Sequence, residues 1–153
     1  MALSAETQVT TRPLGWLTMP VADNVIIYKG ARVMVVGGTG YATPAADTSG
    51  GIYVGIARET VDNTVSGHTA GGVSVTIERA AAGATLDALH EITMATSIAQ
   101  SAVGKFAYLV SDNTADVVAN STNKVVYGRI LSRINSTTAI VDTSDRWTLA
   151  VLL

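Results

Sequence analysis

The sequence predicts an all-β protein: a small β-barrel or sandwich, readable as two similar β-lobes, with an extended N-terminal arm. Three observations carry this. Short runs rich in β-branched residues recur along the chain, clusters of Gly, Asn, Asp and Ser separate them, and no long stretch keeps a helical period. Short strands at this density favour a barrel or sandwich over an α/β layering.

In chain order, Met1–Pro20 has weak periodicity, Pro13 and Pro20, and isolated Leu3, Leu14 and Trp16, the pattern of an extended arm. The β-rich domain then spans 21–153. Val25–Tyr28 and Arg32–Val36 read as strands around a Lys29-Gly30 break, and Val36–Gly40 and Asp47–Gly51 read as turns. Ile52–Val61 is a long strand candidate with Gly55 inside it, and Asp62–Thr64 turns the chain. Val73–Ile77 alternates V-S-V-T-I with period two. Thr85–Ala102 is the one helical candidate, by its Ala, Leu and Gln, although Thr93, Thr96 and Ser97 dilute it. Further strands are expected at Lys105–Val110, Lys124–Ile134, Ala139–Val141 and Trp147–Leu152, with a turn at Ser111–Thr114.

The two halves, 21–82 and 98–153, answer one another. Tyr53–Arg58 matches Val126–Leu131, with Gly55 and Gly128 standing 73 positions apart. At 74 positions, Gly30–Val35 faces Gly104–Leu109, and Val73–Ile77 faces Trp147–Val151. Glycine inside a strand marks a bulge, a bend or a close backbone approach, which suits strands curling around a small barrel.

Composition narrows the function. The 153 residues carry a net charge of -2, with Lys and Arg scattered singly, so the concentrated basic face of a nucleic-acid binder is missing. With no Cys, thiolate metal sites and disulfides are excluded. Only 14% of residues are charged, against about 25% in an average soluble domain, and mean hydropathy is +0.34. A membrane protein or an assembling subunit would each explain this. A spanning helix needs about 20 apolar residues. Val33–Ala46 is broken by three glycines and Pro44, and Ile92–Gly104 is short and dotted with polar residues. Without a basic region leading an apolar stretch, no signal peptide is expected. Assembly is the better explanation.

Chemical motifs fail one by one. Gly38 and Gly40 resemble the opening of a dinucleotide turn, but Thr43 and Pro44 follow where a glycine and a helix belong. His68 sits in a glycine-rich loop and His90 lies far from it, without metal-ligand spacing. Asp112/Asp116 and Asp142/Asp145 occupy turns, and Asp112–Asp116 lacks the glycine and distal glutamate of a calcium loop. Asn120-Ser121-Thr122 and Asn135-Ser136-Thr137 fit a glycosylation pattern that matters only after secretion. No catalytic set, cofactor or metal is expected, and the chain reads as a non-enzyme.

At this point the residues resemble tailed-bacteriophage capsid decoration (cement) proteins. Ile27–Val33 is similar to the family's Y-K-G-A-x-V strand, Gly40–Thr48 to its G-Y-x-x-P-A turn, and Val54–Asn63 to its glycine-bearing strand and D-N turn. Val75–Arg79 resembles the V-x-V-x-R strand, Val103–Asn113 the G-K-x-x-Y-V-x-D segment, and Val126–Ile130 the G-R-I strand. The likeness runs from Val21 to Asp142. It departs at Arg79-Ala80-Ala81-Ala82-Gly83, where the family gives R-x-G-V, and the arm has no counterpart.

The resemblance implies a virion structural protein, made in the bacterial host cytoplasm, that binds the outer capsid surface and stabilises the expanded shell. It implies the major capsid protein as partner and a homo-oligomer, a trimer ahead of a dimer, with no direct contact to nucleic acid or membrane. Many weak contacts suffice for firm attachment when they act together. Leu3, Leu14, Trp16 and Leu17 of the arm are the expected apolar anchors to shell or sister subunits, unless the arm packs on its own domain. A tail or baseplate β-protein is the alternative. A carbohydrate-binding module would want more than 5% aromatic residues, and a β-scaffold hydrolase would need a nucleophile and base.

Overall fold

A computed structural model describes residues 16–78, 89–117 and 121–143. Leu3, Leu14 and the expected strand Trp147–Leu152 lie outside the described residues. Among those described are twelve strands: β1 (Trp16–Pro20), β2 (Ile26–Ile27), β3 (Arg32–Val36), β4 (Ala42–Pro44), β5 (Gly51–Ala57), β6 (Val61–Asp62), β7 (Ser74–Glu78), β8 (Leu89–Met94), β9 (Phe106–Leu109), β10 (Thr114–Val117), β11 (Val126–Asn135) and β12 (Thr138–Asp142). A single 3-10 turn covers Gln100–Ala102. No helix among them is long and apolar enough to cross a membrane.

The strands make two lobes. Lobe 1 is a five-stranded sheet in the order β1-β7-β5-β3-β4, with the short β2–β6 pair beside it. Lobe 2 is a closed barrel in the order β10-β8-β12-β11-β9. Their registers coincide strand for strand. Arg32 pairs Ile56 and Val33 pairs Gly55 in lobe 1, as Phe106 pairs Arg129 and Ala107 pairs Gly128 in lobe 2. Ile56 and Ala57 pair Glu78 and Ile77, as Arg129 and Ile130 pair Asp142 and Val141. Trp16 and Leu17 pair Glu78 and Ile77, as Leu89 and His90 pair Asp142 and Val141. Even the closing contact repeats: Val21 bridges Ala42 in parallel, and Met94 bridges Ala115 in parallel.

The strand pairing corrects three expectations. The counterpart of β7 is β12, not Trp147–Val151, because lobe 1 carries a nine-residue-longer loop between its last two paired strands. Asn63–Val73 fills that place where lobe 2 has the tight turn Asn135–Thr138. Of the helical candidate Thr85–Ala102, the described residues 89–102 instead form β8 and the short 3-10 turn. Ile92 and Met94 are buried while Leu89, Glu91 and Thr93 are exposed, a period of two, and β8 pairs β12 over five positions. That pairing overrides local helix propensity. Trp16–Pro20, read as part of the arm, is an outer strand of the lobe 1 sheet.

Gly55 and Gly128 occupy equivalent places and serve the same purpose. A Cβ on Gly55 would stand 2.4 Å from the Glu78 carbonyl oxygen, and one on Gly128 would stand 2.1 Å from that of Asp142. Each glycine lets its strand cross closely over the neighbouring strand beside a register shift. Gly55 also holds φ at +151°.

Two apolar clusters fill the lobes. Val21, Ile27, Val33, Ala42, Val75 and Ile77 centre the first. Ile92, Met94, Leu109, Val125, Ile130 and Val141 centre the second, which also takes in Met34, Ala45 and Tyr53 from lobe 1. The lobes therefore share one core at their seam.

Candidate functional site

A polar cluster that joins the two lobes lies on that seam. Arg32, opening β3, donates from Nε to Tyr127 Oη at 3.3 Å and from Nη2 to the Glu91 carbonyl at 3.1 Å. Tyr127 sits 2.8 Å from His90 Nδ1 and meets the Tyr53 ring edge-on at 5.0 Å. A phenol oxygen can both accept and donate, so Oη accepts from Arg32 and also bonds His90 Nδ1, the His90 tautomer setting which of the two donates. Tyr127 is fully buried, so no substrate reaches this oxygen and the cluster acts as a brace between lobes.

A second clasp lies nearby. The Asp47 carboxylate accepts from the amides of Thr122 (2.8 Å) and Asn123 (2.7 Å) and from the Ser121 hydroxyl, while Asn123 Nδ2 donates to the Asp47 carbonyl at 2.7 Å. An ionised acceptor of backbone amides makes strong hydrogen bonds. Beside it runs an open groove of about 550 Å³, lined by Val25, Val36, Thr43, Pro44, Ala46 and Asp112 among others. Thr43 Oγ1 in its wall is a buried hydroxyl without a hydrogen-bond partner among the described residues.

The sequence motifs fall into structural roles. Gly38 and Gly40, both at positive φ, shape the hairpin from β3 into β4, not a strand-to-helix phosphate turn. The Asp62 carboxyl is held below its ordinary pKa by the hydroxyl and amide of Thr64 bonding it, with a smaller part from His68 in the exposed loop. The Glu59 carboxyl is lowered likewise, by the Thr76 amide donating to Oε1. Asp116 is buried and accepts from Thr96 Oγ1 and the Val117 amide. Asn135 caps its own turn by accepting from the Thr137 amide. No group of three His, Asp or Glu among the described residues is placed to hold a metal ion. Burial raises the Tyr108 phenol above its ordinary value.

Of the four expected contact residues, two are described. Trp16 is 67% exposed, with the Arg58 guanidinium over its ring at 5.1 Å and Arg58 paired to Glu78. Leu17 is 38% exposed. The structure adds Tyr28, Ile52, Val65, Leu89, Leu131 and Ile134 as exposed large apolar side chains that sequence reading missed. Leu89 is the lobe 2 equivalent of Trp16, a relation visible only through the strand register.

No protein-family profile matches the sequence, and no curated protein matches it. Among solved structures, the chain is similar to the head fiber gp8.5 N base of bacteriophage phi29, with a TM-score of 0.44 and 14% identity over 84% of this chain and 96% of that one.

Proposed function

We propose that this chain is a decoration protein of a bacteriophage head: a non-enzymatic virion component that binds the outer surface of the expanded capsid and stabilises it. The observation that carries the reading is the ordered set of segments resembling cement proteins, from Ile27 to Asn63 and from Val103 to Ile130. These segments map onto equivalent strands, β3 to β5 in lobe 1 and β9 to β11 in lobe 2. The physics is compatible with a clamp. A chain with 14% charged residues and large exposed apolar side chains on both lobes has surface to bury against neighbours. Its partners on this reading are the major capsid protein and further copies of itself, and its place is the virion exterior.

The test is binding of the purified chain to expanded shells that lack it, followed by sedimentation and by density difference on the shell surface. Saturable binding at symmetry-related outer sites, with a raised shell melting temperature, is the expected result. No binding to the cognate shell under matched salt and pH overturns the proposal; location on the tail or baseplate would then assign the chain there. Deleting residues 1–17 tests the arm anchors Leu3, Leu14 and Leu17, with Trp16: attachment is expected to weaken, and unchanged attachment would remove the arm from the contact.

A further inference from the structure

The repeat exposes an imbalance between the lobes. In lobe 2, Val125 and Tyr127 lie under Arg32, Met34, Gly51 and Tyr53 of lobe 1, Val125 at 1% exposure and Tyr127 at 0%, with the half-buried His90 against Tyr127. The equivalent positions of lobe 1, by strand register, are Leu17, Ile52 and Val54. There Leu17 is 38% exposed, Ile52 48%, and Val54 is half-buried. Lobe 1 thus leaves Leu17 and Ile52 exposed beside a Val54 that packs partly on its own core, where lobe 2 buries Val125 and Tyr127. Conversely, the lobe 2 equivalents of Arg32, Met34, Gly51 and Tyr53 are Phe106, Tyr108, Lys124 and Val126. Tyr108 is buried, but Phe106 and Val126 are intermediate and Lys124 is exposed.

From this we infer that a second copy of the chain occupies the Leu17–Ile52–Val54 patch, using its lobe 2 face around Phe106, Lys124 and Val126, and so repeats between molecules the seam that joins the lobes within one. The seam uses different residues on its two sides, so the repeated contact is heterologous, joining unlike faces. Such contacts propagate until the rotation closes into a ring or the chain continues as a filament. Lys124 stands where Gly51 does, so the copies sit further apart than the lobes, with the aliphatic stem of Lys124 over Ile52. This gives the self-association of the proposed function a surface. It is measured in free solution, so its failure leaves shell binding to be judged separately.

The chain has no cysteine, which permits cross-linking without background. In the full-length protein, the Ile52→Cys/Lys124→Cys double variant is expected to oxidise to multimers. Mixed single variants should give a dimer containing one of each, and Ile52→Cys alone should stay uncross-linked. Ile52→Glu, at an exposed site, should keep the β-sheet circular dichroism of the parent and raise the dissociation constant about tenfold or more in sedimentation equilibrium. A parent chain that is monomeric throughout the micromolar range overturns the inference. So does efficient cross-linking of Ile52→Cys to itself, which would mean like faces meet. Association that survives Ile52→Glu but is lost on removing residues 144–153 also overturns it, in favour of a contact made by the C-terminal segment.

Discussion

Replacing Gly128 with alanine puts the twin strand crossings to a quantitative test. The added Cβ would lie 2.1 Å from the Asp142 carbonyl oxygen, 2.8 Å from its carbon and 2.8 Å from Val141 Cγ1. Non-bonded carbon contacts are optimal near about 3.5 Å, so β11 and β12 must part by roughly 1 Å. The obstruction is mostly backbone, and no rotamer change relieves it. Parting the strands weakens one or two ladder hydrogen bonds, worth about 1 kcal/mol each. It also strains the packing of Val141 and Ile130, both fully buried, at about 1–3 kcal/mol. The total is about 2–5 kcal/mol, which for a chain near 150 residues lowers Tm by roughly 5–20 °C. Thermal and urea unfolding followed by circular dichroism measure it, with Ser132→Ala on an exposed part of β11 as a comparison expected within about 0.5 kcal/mol of the parent. Gly55→Ala should cost at least as much, because a Cβ there also meets a +151° φ and Ile77 Cγ2 at 2.5 Å. If Gly128→Ala melts within about 2 °C of the parent, the close crossing does not govern stability and the account of both glycines fails.

Three other perturbations probe the seam and the loops. Asp47→Ala removes the acceptor for two amides and a hydroxyl of the 121–124 turn and should destabilise by about 2 kcal/mol, with Asp47→Asn recovering part of it in urea titration. Tyr127→Phe deletes the oxygen shared by Arg32 and His90; a loss of about 1–2 kcal/mol is expected by the same measurement, and no loss would mean the brace is idle. Stability should also fall in acid. Glu59 and Asp62 are both held below their ordinary values of 4.5 and 3.8 by hydrogen bonds to their ionised forms. Their contribution is complete above those values and disappears as pH falls through the depressed ones. Glu59→Gln with Asp62→Asn should therefore flatten the acid limb of a Tm-against-pH profile by lowering the neutral-pH Tm toward the acid value, with the Tm below the depressed pKa values little changed.

Much of the architecture could be read from local pattern. Arg32–Val36 became β3 with the same bounds, and the pairing of Gly30–Val35 with Gly104–Leu109 corresponds to equivalent strands, because alternation and glycine punctuation are written into short windows. β8 and β10 escaped notice for opposite reasons. The Leu89–Met94 segment has residues that tolerate a helix, and only its pairing with β12 makes it a strand. Thr114–Val117 is four residues long and begins inside an Asp-Asn turn, so its pairing with β9 and β8 is all that marks it. The seam was beyond reach altogether. Arg32 and Tyr127 stand 95 positions apart, and nothing local says that a mid-strand tyrosine in one lobe will take hydrogen bonds from the other. Trp16 and Leu17 stood out as apolar residues in a polar stretch, but their membership of β1 depends on a register with Ile77 and Glu78 that no window of sequence contains.

The unequal loops give the molecule an evolutionary seam of another kind. Asn63 is 1% exposed, and its amide nitrogen donates to the carbonyls of Ala22 and Thr69, while Gly71 and Val73 bond Val21, tying both ends of the longer loop to the lobe 1 sheet. Beyond that knot, residues 64–72 are all exposed, while lobe 2 makes the same reversal in the tight Asn135–Thr138 turn. The shared strand plan therefore tolerates at least nine residues more or less at this corner, and lengthening a loop whose ends are already anchored adds little entropy cost. A peptide epitope or affinity tag spliced between Ser66 and Gly67 would inherit that tolerance. It would be carried on each copy of the chain with the Asn63 knot, and so the sheet beneath it, left undisturbed.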